Sequence, residues 1–133
     1  MFTPADLTDA ALEFLRERHL AAFTTMRADG TPHVVPVGFT WDGEAGIARV
    51  IASGTSQKAR QAALGGPVAL CQVDGRRWLT LEGVATVSSD PAVVSDAEAR
   101  YTARYRAPRI NPHRVAIEIL VRRVLGAAEF RAG

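Results

Sequence analysis

The chain has 133 residues, 47% hydrophobic and 23% charged, with 16 basic residues set against 14 acidic ones. That length suits one domain around one substantial core, expected over 1–133, and the composition excludes intrinsic disorder and collagen-like repeats. A net charge of +2, with the arginines scattered among acids, lacks the concentrated basic stripe of a nucleic-acid binder.

The first element is a helix over Asp6–Arg18, ending near His19. Leu7, Ala11, Phe14 and Leu15 share one face, while Glu13, Glu17 and Arg18 can face water. Thr8 is placed to cap it, with Asp9 in the first turn. Leu20–Met26 and Thr31–Trp41 then read as strands around Asp29-Gly30, a dipeptide that tolerates the positive φ of a hairpin turn. Asp42-Gly43 and Asp74-Gly75 repeat that signal. Pro36 cannot donate to a ladder, so its strand belongs at an edge, a bulge or an irregular site.

Ile47–Ala52 is a further strand, followed by the polar turn Ser53-Gly54-Thr55-Ser56 and a short helix over Gln57–Leu64. Val68–Val73 and Arg77–Val87 form a hairpin around Asp74-Gly75. Cys71, the sole cysteine, cannot form an intrachain disulfide and reads as a small buried strand residue. Asp90 and Pro91 suit the cap and first position of another helix, whose face carries Val94, Ala97, Tyr101 and Tyr105. A basic, proline-bearing loop, Arg106–His113, leads into the last strand, Val115–Val124. The expected architecture is mainly β: a six-stranded antiparallel barrel, closed or partly closed, with short flanking helices. No signal-peptide pattern or apolar run of transmembrane length is present, so the expected location is the cytoplasm, with no membrane or nucleic-acid partner.

Lys58, the only lysine, stands where chemistry is easiest to read. A strand, a hydroxyl-rich turn and a helix start can hold a phosphate: first-turn amides lack intrahelical partners, Thr55 and Ser56 carry hydroxyls, and Lys58 carries a compact charge. Arg49 from the preceding strand and Arg60 from the helix are further candidates. A capped, solvent-facing helix whose cations serve solubility is the competing reading. The Gly-rich sequence of a P-loop is missing, as is a dinucleotide-binding glycine fingerprint. The three histidines are scattered without metal-ligand spacing, so no metal site is assigned, and His33 reads as a structural or ligand-contacting residue. Trp78 reads as a core-strand residue or as a wall beside a planar ring, with Gly83 permitting close backbone approach.

From Arg18-His19-Leu20-Ala21 through Thr24–Phe39, Ser53–Ala59 and Ala69–Gly83, the chain resembles the split-barrel family of pyridoxamine-phosphate oxidases and deazaflavin-dependent oxidoreductases. Within it the resemblance is nearest to the coenzyme F420-dependent biliverdin reductase branch. That resemblance implies a homodimer with cofactor grooves between subunits and coenzyme F420 as the cofactor, flavin mononucleotide being the alternative. It places the cofactor phosphate near Thr55, Ser56 and Lys58, and the ring beside Pro36, Val37 and Gly38. Gln72 and Trp78 become pocket residues, and the propionates of biliverdin would pair with Arg106, Arg109 or Arg114. Many relatives carry an arginine where this chain has Gln57. No side chain is implied in covalent or acid–base catalysis. A reductase of a quinone or another conjugated acceptor, and a non-enzymatic flavin, haem or tetrapyrrole binder, are the two rival functions.

Overall fold

The computed structural model describes residues 1–132. Its elements in chain order are α1 (Asp9–Arg16), β1 (Ala21–Met26), β2 (Pro32–Val37), β3 (Thr40–Asp42), β4 (Ile47–Ser53), α2 (Gln57–Ala62), β5 (Pro67–Asp74), β6 (Arg77–Ser88), α3 (Pro91–Arg104) and β7 (Arg114–Gly126). Local signals account for most of their ends. The Thr8 hydroxyl accepts from the Ala11 amide at 3.2 Å, and the Asp90 carboxylate accepts from the Ala92 amide at 2.9 Å, so both expected caps are in place. Gly30 and Gly75 turn the β1–β2 and β5–β6 hairpins with φ of 86° and 62°. In the β3–β4 turn the positive φ falls on Gly46 instead of Gly43.

The strands form one antiparallel sheet in the order β2-β1-β5-β6-β7-β4-β3. Seven strands replace the expected six because Thr31–Trp41 is broken at Gly38 and Phe39 into β2 and β3. Pro36 does lie on an edge strand. That break also explains the curvature. If the sheet were flat, its two edges would stand roughly 29 Å apart, six spacings of about 4.8 Å. The edges β2 and β3 are joined by only Gly38 and Phe39, which span at most about 11 Å. The sheet must therefore curl until its edges nearly meet. The result is a barrel split at one seam.

Inside, alternate residues of the strands, among them Phe23, Val50, Leu70, Leu79, Leu81, Ile117 and Ile119, are buried together. Phe14 of α1 closes one end, stacked on Phe130 with ring centroids 4.8 Å apart. Gly83 sits at a register shift in β6, where an added Cβ would lie 2.0 Å from the Leu120 carbonyl oxygen. The close approach expected at Gly83 is thus made by β7, not by a ligand. Cys71 faces outward from β5 and is half-buried, a correction to its expected burial.

Candidate functional site

The barrel seam is held from behind by the last turn of α3. Arg104 Nε and Nη2 donate to the Glu17 carbonyl at 2.9 and 2.8 Å. Its Nη1 donates to the Phe39 carbonyl at 2.5 Å, and Nη2 also donates to Gln72 Oε1 at 2.7 Å. The guanidinium lies over the Phe39 and Tyr105 rings, 4.7 and 5.0 Å from their centroids. Tyr105 completes the clasp, donating to the His19 carbonyl at 2.7 Å and accepting from the Phe39 amide at 3.2 Å. Burial disfavours the Arg104 charge, yet a guanidinium stays protonated at neutral pH. Arg104 has no carboxylate within ion-pair distance among the described residues.

Gly38 is the point of closest approach. A Cβ there would come within 3.0 Å of the Tyr101 ring and 3.1 Å of the Tyr105 ring. Without that side chain, Tyr101 of α3 and Tyr105 just past its end press directly on the seam backbone. In front of them opens a cleft of about 460 Å³. Pro36, Val37 and Gly38 form one wall, Ile51, Ala52 and Ser53 of β4 another, and Tyr101 contributes from α3. The connection from α3 to β7 forms the rim through Arg106, Pro108, Arg109 and Asn111. Lys58 and Arg114 also reach this space, and no carboxylate among the described residues lines it.

Seven of the residues expected at the site from sequence therefore meet in one cleft: Pro36, Val37, Gly38, Lys58, Arg106, Arg109 and Arg114. Their states differ. Arg114 donates to Glu98 at 2.6 Å and to the Arg109 carbonyl at 2.7 Å, so it braces the rim. Lys58, Arg106 and Arg109 have no ion pair and no side-chain hydrogen bond among the described residues, and both arginines are exposed.

Other expected residues lie elsewhere. Arg49 is tied to Asp42 at 2.9 Å and Glu118 at 3.0 Å, and only 11% of its side chain is exposed. Its donors are committed to the scaffold, not offered to a phosphate. Gln72 is 1% exposed; besides accepting from Arg104, it donates to the Phe14 carbonyl at 2.8 Å. It is a buried polar residue satisfied within the core, not part of the cleft lining of this subunit. Ser56 caps α2: its hydroxyl donates to the Ser53 carbonyl at 2.7 Å and accepts from the Ala59 amide at 3.3 Å, which leaves no free hydroxyl donor for an anion. Thr55 is exposed beside the cleft, its hydroxyl 3.2 Å from that of Ser53. Arg60 is exposed on α2 outside the lining. His33 faces the inner side of β2, and its buried Nδ1 has no partner among the described residues. Trp78 is on the outer sheet face, paired with Val73 and away from this subunit's cleft.

Sequence reasoning missed Tyr101 as a lining residue, and Arg104 as the clasp behind it. The available signal was the tyrosine spacing on α3, which marked a buried face without saying what it covers. One further cluster is structural: Glu17, His19 and Asp74 converge, and Arg77 donates to both carboxylates. The guanidinium, followed by His19, holds the Glu17 carboxyl down at about 2.

The family model for pyridoxamine 5'-phosphate oxidase matches residues 7–127. The F420H(2)-dependent biliverdin reductase of Mycobacterium tuberculosis (strain CDC 1551 / Oshkosh) is 59% identical over 127 residues, covering 96% of this chain and 93% of that relative. A solved F420 reductase superposes with a TM-score of 0.72 at 24% identity, over 89% of this chain and 98% of its own. The conserved hypothetical protein Rv2991 from Mycobacterium tuberculosis gives a TM-score of 0.76 at 23% identity, over 92% and 86%. At such identities these two structures speak to the fold alone. The family match and the similarity to the curated relative together establish that the chain belongs to the pyridoxamine 5'-phosphate oxidase family.

Proposed function

We propose that this protein is a coenzyme F420-dependent reductase that passes hydride from the reduced deazaflavin to biliverdin or a similar linear tetrapyrrole. The observation that carries the reading is 59% identity across 96% of the chain to an F420H(2)-dependent biliverdin reductase. The cleft is consistent with it. Both ligands are anionic, and the lining holds four cations and no carboxylate among the described residues. A volume of about 460 Å³ is within the range of pockets that hold small organic ligands.

When bound, the reduced cofactor supplies the hydride. Lys58 would take its phosphate with Ser53 and Thr55 alongside, while the backbone at Pro36, Val37 and Gly38 would flank its ring. Arg106 and Arg109 would receive carboxylates, and Arg114 would hold their loop in place. The Arg104–Tyr105 clasp fixes the seam, so the ligand-facing backbone does not have to be ordered at the moment of binding. The protein's contribution is alignment and charge; the balancing proton is drawn from solvent, and no side chain is assigned as an acid.

The working unit we propose is a homodimer of single split-barrel domains in the cytoplasm. Its support is the outer sheet face, where Leu20, Val34, Val73 and Trp78 are exposed together around Ala22, Pro36 and Cys71. A second copy covering that face would bring Trp78 to a groove it does not reach within its own subunit. No helix is long and apolar enough to cross a membrane among the described residues.

An anaerobic assay with enzymatically reduced coenzyme F420 and biliverdin tests the proposal. Catalytic loss of the biliverdin absorbance is expected, stoichiometric with the appearance of the oxidised deazaflavin absorbance. Turnover no faster than the enzyme-free control overturns it, and faster turnover of a quinone redirects the substrate.

A further inference from the structure

Ile110 is 99% exposed, the most exposed of the large hydrophobic residues. A lone apolar side chain in water needs no explanation on its own. Its position asks for one. It stands between Pro108 and Pro112, in the loop whose Arg106, Pro108, Arg109 and Asn111 line the cleft. Next to it along the rim is a second depression that it shares with Pro108, Arg109, Asn111, Pro112, Arg114 and Glu98, the Glu98 carboxylate being paired with Arg114.

The loop is not slack. At its start Tyr105 is fixed by the His19 carbonyl and the Phe39 amide. At its end Arg114 is fixed by Glu98 and reaches back to the Arg109 carbonyl. Between them the Gly54 amide donates to the His113 carbonyl at 2.8 Å, and the His113 amide donates to the Asn111 side chain at 2.9 Å. Two prolines further restrict the backbone. The segment is a pinned arch that carries an unpaired arginine at 106, another at 109, and an unburied isoleucine beside the second. Exposed cations flanking an exposed apolar group match a ligand with carboxylates on an apolar body.

We propose that Ile110 is a contact residue for the hydride acceptor, gripping the apolar face of a conjugated dicarboxylate whose acid groups are held by Arg106 and Arg109. This inference rests on the functional reading above and deepens it, assigning the arch to the acceptor and leaving Lys58 to the cofactor. The arch is ordered before the ligand arrives, so burial of the isoleucine is gained with little loss of loop entropy. Partial burial of one such side chain corresponds to roughly a five- to tenfold change in affinity, about 1–1.4 kcal/mol.

The test is equilibrium binding of biliverdin to wild type, Ile110→Ala and Ile110→Ser, followed by absorbance. It is read beside coenzyme F420 affinity, steady-state KM and kcat, melting temperature and mass by light scattering. Expected are a rise in biliverdin Kd of about fivefold or more in Ile110→Ser and a smaller rise in Ile110→Ala. KM should follow, with kcat at saturation, coenzyme F420 affinity and melting temperature essentially unchanged. An unchanged biliverdin Kd overturns the inference, as does an effect confined to coenzyme F420 or a shift of the variants to a smaller assembly. Because binding is measured apart from turnover, wild type that binds biliverdin through Ile110 without reducing it refutes the enzyme assignment and leaves the contact standing.

Discussion

Three arginines tied to the scaffold, 49, 104 and 114, and three cations of the cleft without a partner among the described residues, Lys58, Arg106 and Arg109, carry the same charge and do opposite work. Arg49 is locked between Asp42 and Glu118, Arg104 is wrapped by carbonyls and Gln72, and Arg114 is held by Glu98. Each commits donors to the scaffold. The free set faces the cleft or its mouth, without a partner among the described residues. An unpaired cation that the fold does not use is available to a ligand. A cation wrapped in acceptors sets where the cleft-lining backbone lies.

Substitutions in the two sets should separate stability from affinity. Arg104→Met should do the most damage, because it strands the Glu17 and Phe39 carbonyls and Gln72 Oε1 in half-buried surroundings. A loss of about 3 kcal/mol in denaturant unfolding is expected; a loss below about 1 kcal/mol would show that the clasp is dispensable. Lys58→Ala should invert that pattern. Coenzyme F420 affinity should fall by about tenfold or more, the worth of one charge-assisted hydrogen bond, with unfolding energy within about 0.5 kcal/mol of wild type. Equal binding by variant and wild type would remove Lys58 from the site. Arg49→Gln belongs with the scaffold: it should lower the melting temperature measurably and leave cofactor affinity nearly intact, whereas selective loss of affinity would return Arg49 to the ligand.

The smallest effect should come from Glu17→Gln and is specific in pH. The Glu17 carboxyl is lowered from its ordinary 4.5 to about 2 by Arg77 first and His19 second. A depressed carboxylate stabilises the fold above its unfolded value, and that stabilisation fades as pH falls from 4.5 toward about 2. The melting-temperature gap between wild type and Glu17→Gln should therefore be widest near neutral pH and narrow across that acid window. A gap independent of pH would mean that the ion pair with Arg77 carries no linkage.

Most of the fold was legible because its determinants are local. Thr8, Asp90-Pro91, Asp29-Gly30 and Asp74-Gly75 each act within a few residues of the boundary they set. The break at Gly38 was not, since the residues on both sides continue a β pattern and the cause lies in Tyr101, Arg104 and Tyr105 of a distant helix. Arg49 and Lys58 looked alike in sequence for the same reason. The partners that separate them come from Asp42 across the β3–β4 turn and from Glu118, its register partner on β7. The family resemblance implies Gln72 as a pocket residue; only the fold reveals that Phe14 and Arg104 satisfy it. The resemblance to a known family names residues that the fold gathers into one cleft, and neither pattern nor resemblance gave the state of each side chain in it.

The measurement that bears most directly on the cleft is a crystal structure of the protein with coenzyme F420. Phosphoryl oxygens within hydrogen-bonding distance of Lys58 Nζ, and a ring lying along Pro36–Gly38, are the expected result. A cofactor seated elsewhere, with Lys58, Arg106 and Arg109 all left in solvent, would refute the assignment of this cleft.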